Sequence, residues 1–90
     1  MNIEEIEHFM GKATSPEAQL MTITFKKRDA IQGFIVKGTD YNDLKSKNFW
    51  RVVKQKDIEA WERSKNVDLA KIFSGSEFSR LTIYKDSFDL

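Results

Sequence analysis

The chain has 90 residues, enough for one small domain with a single core and little stability to spare. Its 40% hydrophobic and 12% aromatic residues make that core feasible, and no apolar run approaches the roughly 18 residues of a membrane span. Zero cysteines exclude a disulfide framework and every thiolate metal site, and the acidic start Met1-Asn-Ile-Glu-Glu lacks a signal peptide's basic and apolar regions, so a cytoplasmic protein is expected.

A net charge of +1 conceals an uneven distribution. Residues 1–20 carry four Glu against Lys12, residues 21–56 nine Lys and Arg against Asp29, Asp40 and Asp43, and residues 57–90 seven acidic against five basic groups. A basic middle between acidic ends fits a polyanion-facing surface. It fits equally well lysines on the solvated outer faces of strands, which is the commoner arrangement.

Asn2 is placed to cap a helix, with Glu5 three residues on as the capping-box partner. Ile3, Ile6 and Met10, with Phe9 beside them, recur at helical spacing, and Gly11 stands where the helix should stop. A helix over 3–11 follows. Residues 12–20 contain Ser15-Pro16 and read as a connector.

The central stretch runs from Met21 to Asp40. Met21, Ile23 and Phe25 alternate with Thr22 and Thr24, the pattern of a half-buried strand. Lys26-Lys-Arg-Asp29 is too charged to bury and supplies a turn, and Ala30 to Val36 forms the second strand. Gly33 lies inside this β-branched and aromatic run, which marks a bend or a close backbone approach. Small barrels need such bends to close.

Residues 39–48 are polar and rich in turn formers. Residues 48–54 form the third strand, where Phe49, Arg51 and Val53 alternate with Trp50 and Val52, so both faces carry large apolar groups. Residues 57–73 read either as one helix or as two pieces. Lys65 and Asn66 interrupt the apolar stripe, favouring a short helix or arm over 57–64, a turn, and a strand over 67–73. Ser74-Gly-Ser76 turns the chain into a last strand over 78–84, with Leu81 and Ile83 facing one way, and residues 85–90 are expected to fray. One domain over 1–90 results, with its sheet over 20–84: mainly β, a short N-terminal helix, and five strands in a bent SH3-like small barrel.

Ile23-Thr-Phe, the charged turn, and Ile31-Gln-Gly-Phe-Ile-Val-Lys-Gly-Thr-Asp40 resemble the first motif of Sm-like proteins, and Ile72-Phe-Ser-Gly-Ser-Glu-Phe-Ser-Arg-Leu-Thr-Ile83 resembles the second. The likeness, extended by the leading helix, is to a bacterial member of that family, and it implies an Sm-like barrel. The family follows its aspartate four residues on with an RNA-contacting asparagine. Here Asn42 comes two residues after Asp40, and the second motif's Arg-Gly turn is Ser74-Gly75. The shape carries over without both RNA-contacting positions.

Nothing in the sequence assembles catalysis. His8 is the only histidine, Asp40, Asn42 and Asp43 suit a polar turn better than a cation site, and the scattered glycines make no phosphate loop. No enzyme, cofactor or metal is expected. Two binding readings remain. The first is a protein-interaction module that uses strand edges and the apolar Trp61. The second binds RNA or another single-stranded nucleic acid through Lys26, Lys27, Arg28, Lys45, Lys47 and Arg51. A pI of about 7.9 favours the protein partner. Charged Lys71 and Arg80 within the edge strands, and the bulky 57–64 arm, predict a monomer or dimer rather than a ring.

Overall fold

In the computed structural model, which describes residues 1–11 and 20–84, an N-terminal helix precedes a five-stranded antiparallel sheet. Helix α1 spans Ile3–Gly11. Its start is a reciprocal capping box: Glu5 N–H donates to Asn2 Oδ1 at 2.8 Å and Asn2 N–H to Glu5 Oε1 at 3.0 Å. Ile6 and Met10 are buried beneath it.

Strands β1 (Met21–Phe25), β2 (Ile31–Ile35), β3 (Phe49–Lys54), β4 (Ala70–Ser74) and β5 (Phe78–Ile83) lie in the order β4-β3-β2-β1-β5. In β1 the odd residues are buried, as their alternation predicts. Cross-strand pairing sets Met21 opposite Ile83 and Ile23 opposite Leu81, so Leu81 and Ile83 do share a face, although Ile83 at the strand end stays exposed. A bulge at Ser79 brings Phe78 opposite Phe25, which puts Phe78 and Leu81 into the core three residues apart.

The predicted mainly β fold with its N-terminal helix is found. Among the described residues β4 and β5 do not pair, so the sheet curls without closing. A Cβ on Gly33 would run into the Val53 carbonyl and approach Lys54 Cα at 3.2 Å. At Gly33 β2 therefore lies directly against the backbone of β3.

Two apolar clusters flank the sheet. The inner one joins Ile6 and Met10 of α1 to Met21, Ile23, Phe25, Ile35, Trp50, Val52, Phe78 and Leu81. The outer one joins Phe34, Val36, Val53, Ala70 and Trp61. The alternation in β3 is thus used on both faces, with Val52 inward and Val53 outward. Of the neighbouring aromatics, Trp50 is buried and Phe49 is exposed.

Two expectations need correction. The polar stretch at 39–48 holds a helix, α2 (Tyr41–Ser46), because Tyr41 packs edge-on against Trp50 at 6.1 Å and Leu44 N–H bonds to Asp40 O. The 57–64 piece is helical as expected, with α3 at Ile58–Ser64 ending on Lys65 in the left-handed region at φ 52°. The strand expected from 67 begins only at Ala70: Asn66 Oδ1 accepts from Asp68 N–H and folds Val67–Leu69 into a single 3-10 turn. The 12–19 part of the connector and the 85–90 tail lie outside the described residues. Among the described residues no helix is long and apolar enough to cross a membrane.

Candidate partner-binding surface

The basic residues of the middle of the chain go to different places. Lys26, Lys27 and Arg28 stand exposed on the β1–β2 turn, which Lys26 N–H fastens to Glu77 O at 3.0 Å. The Arg28 guanidinium lies 5.0 Å from the Phe25 ring centroid and 5.5 Å from that of Phe73. Phe25, Lys26, Lys27 and Arg28, with Ser76 and Glu77, line a concavity of about 420 Å³. Among the described residues none of the three cations has a carboxylate partner.

Lys45 is on α2, with Nζ 3.4 Å from Glu7 Oε2 and 5.5 Å from the Tyr41 ring centroid. Lys47 is exposed just beyond that helix. Tyr41 itself has its phenol pushed up by burial first and by the charge of Glu7 second.

Arg51 is committed internally. Its Nε and Nη2 reach Asp40 Oδ2 at 3.0 and 2.8 Å, and Nη1 donates to Ala70 O at 3.2 Å. This fork holds the Asp40 carboxyl below the ordinary carboxylate range, chiefly by hydrogen bonding, and raises the Arg51 value for the same reason. It ties the β2–α2 connection to β3 and β4. Asp43, in the first turn of α2, is exposed, as is His8 on α1. Among the described residues no group of three or more His, Cys, Asp or Glu is placed to hold a metal ion.

Trp61 joins the arm to the sheet. It is 9% exposed and packs in the outer cluster with Phe34, Val36, Val53 and Ala70. Beyond the part of the outer face covered by α3, the cluster gives way to open apolar surface. Pairing sets Phe49 opposite Ser74 and Arg51 opposite Ile72, so Phe49 and Ile72 are diagonal neighbours on that face. They are 38% and 48% exposed. Strand β4 beside them pairs on one side only among the described residues.

Sequence reasoning missed one polar hub. Asn48 sits at φ 61°, a left-handed backbone that asparagine tolerates better than most residues. Its Oδ1 accepts from Trp50 Nε1 at 2.8 Å, its Nδ2 donates to Met1 O at 3.0 Å, and its carbonyl accepts from Gly75 N–H at 2.8 Å. The only signal was an asparagine beside a tryptophan whose indole must find an acceptor once buried. The open Phe49–Ile72 pair was equally hidden, since nothing in the alternation of β3 says where α3 stops covering it. No protein-family model matches the chain, and no curated protein or solved structure matches it.

Proposed function

We propose that this chain is a non-enzymatic protein-interaction module on an Sm-like small barrel, acting in the cytoplasm and presenting the open outer face of β3 and β4 to a protein partner. The observation that carries this reading is the exposed Phe49–Ile72 pair beside a strand edge that is unpaired among the described residues. Apolar side chains next to free backbone groups are what a partner strand or loop can cover. The dispersal of the basic residues supports the same reading, because Arg51 is held by Asp40 and Lys45 lies against Glu7.

Affinity capture with rising salt tests it. Protein partners should stay bound as salt increases and be lost with the double variant Phe49→Ser/Ile72→Ser, since apolar contact is insensitive to screening. Capture that survives this variant overturns the reading.

A second reading, RNA or single-stranded nucleic acid, is favoured by the basic turn Lys26-Lys27-Arg28, whose cations have no carboxylate partner among the described residues and whose Arg28 lies over the Phe25 and Phe73 rings. It expects retention that falls steeply with salt and disappears in Lys26→Glu/Lys27→Glu. Absence of any RNA binding by the wild type at low salt removes it.

A further inference from the structure

The outer cluster has a second opening, distinct from the Phe49–Ile72 strip. Its members are unequally covered: Val53 is 0% and Ala70 3% exposed, whereas Phe34, Val36 and Trp61 retain 6%, 8% and 9%. These three line one groove of about 300 Å³ between α3 and the end of β2. The exposure that the cluster leaves is therefore gathered at one place. A groove at this small end of the ligand-pocket range takes a side chain or two with their backbone rather than a large cofactor.

The rim supplies charge. Lys37 comes from the segment after β2 and Lys65 from the end of α3, with Glu62 also present. Lys37 Nζ lies 5.5 Å from the Tyr41 ring centroid, and Lys65 Nζ lies 5.4 Å from that of Trp61. Among the described residues neither lysine is paired with a carboxylate. Each ammonium is thus steadied by an aromatic face while its charge remains uncompensated. An apolar floor with two such cations in its lining complements an apolar side chain flanked by negative charge.

We propose that this groove docks a short acidic segment of a partner protein. An aromatic or aliphatic side chain enters against Phe34, Val36 and Trp61, and carboxylates on either side of it pair with Lys37 and Lys65. The inference rests on the protein-interaction reading and names the chemistry of one partner segment. A polynucleotide fits less well, since it offers no aliphatic group for the floor.

The test is an NMR titration of the full chain with the blocked hexapeptide Asp-Asp-Phe-Leu-Asp-Asp, with the same peptide carrying Lys for every Asp, and with oligouridylate. The acidic peptide should shift the amides of Val36, Lys37 and Gly38 and the Trp61 indole in a saturable way, and the other two should not. Lys37→Glu/Lys65→Glu alters exposed groups and should keep the dispersed spectrum of the fold. It should weaken the acidic peptide about tenfold or more, because two exposed attractions become repulsions. Lys26→Glu/Lys27→Glu should leave that affinity unchanged. Equal binding of the lysine peptide, an unaltered affinity in Lys37→Glu/Lys65→Glu, or no shift at the groove overturns the proposal. Shifts confined to Phe49 and Ile72 overturn the groove while leaving the protein-interaction reading in place. Saturable groove shifts with oligouridylate alone overturn the groove's acidic-peptide assignment.

Discussion

The rings of Phe25 on β1 and Phe73 on β4 stand 5.5 Å apart, although β2 and β3 lie between their strands in the sheet. Neighbouring strands are about 4.8 Å apart, so a flat sheet would hold these two about 14 Å from each other. The sheet is therefore curled tightly around the inner cluster, and Phe78 joins the contact at 5.4 Å from Phe25 in an edge-on arrangement. Arg28 caps the same rings from the β1–β2 turn. The curl brings that basic turn beside the β4–β5 connection and leaves the outer cluster to be covered by α3.

Gly33 is where the curl is most sensitive. A side chain there meets the backbone of Val53 and Lys54, which cannot swing aside as a flexible side chain would. Gly33→Val should cost about 2–3 kcal/mol, the upper part of the range of overpacking in a tight core. That corresponds to a drop in Tm of about 10–20 °C for a domain of this size. Thermal unfolding within a degree or two of the wild type would show that β2 does not need this close approach.

Acid should loosen the Asp40–Arg51 clamp. The Asp40 carboxyl is held below its ordinary value by the Arg51 fork. A carboxyl depressed on folding adds stability above its unfolded pKa of about 3.9, and the contribution is lost as pH falls through the folded value. The wild type should therefore be more stable than Asp40→Asn at neutral pH, and the gap should narrow below about pH 4. Urea melts of both proteins across that window measure it. A gap that stays constant or widens on acidification means that the fork does not stabilise the folded chain.

Asn48 offers a way to separate backbone strain from hydrogen bonding. Asn48→Ala loses the bonds to Trp50 Nε1 and Met1 O and keeps a Cβ at φ 61°. Two lost bonds at about 1 kcal/mol each give about 2 kcal/mol, and alanine adds part of the about 1–2 kcal/mol of left-handed strain that asparagine tolerates better. Asn48→Gly loses the same bonds without that strain and should cost about 1 kcal/mol less. Denaturant unfolding of the pair decides, and a glycine variant less stable than the alanine variant would refute the strained backbone.

What the sequence made legible was whatever follows from local period and caps. The Asn2–Glu5 box, the Met21-Ile23-Phe25 face and the interior Gly33 are each decided by neighbours in the chain, and each is found. What stayed hidden depends on distant partners. Helix α2 forms in a stretch that looks like turns because Tyr41 finds Trp50. Arg51 leaves the exposed basic set because its alternation in β3 cannot reveal that Asp40 faces it. The Trp61 groove needs α3, β2 and the lysines on both to be brought together, and no spacing in the chain encodes that.

The assembly state can be argued from the two outermost strands. Strands β4 and β5 are the sheet edges, and among the described residues each pairs on one side only. Joining β4 of one copy to β5 of the next would require both edges to accept a neighbour along their length. Lys71, the second residue of β4, is paired with Val52, so by register it belongs to the inner face, yet it is exposed. An inward-pointing charge on an edge strand is a recognised guard against edge-to-edge pairing, since a new strand would have to bury it. Arg80 stands exposed in the middle of β5, where the Ser79 bulge also breaks the regular ladder. On the outer face Trp61 holds α3 over Ala70 at the start of β4, which narrows the approach to that edge. The chain should therefore sediment as a monomer, or at most as a dimer, at micromolar concentration. Replacing both charges, in Lys71→Thr/Arg80→Thr, should shift the distribution toward larger species by removing the guards. A dominant wild-type species of six or more subunits would show that the edges do pair, and would leave the exposed charges without the role given to them here.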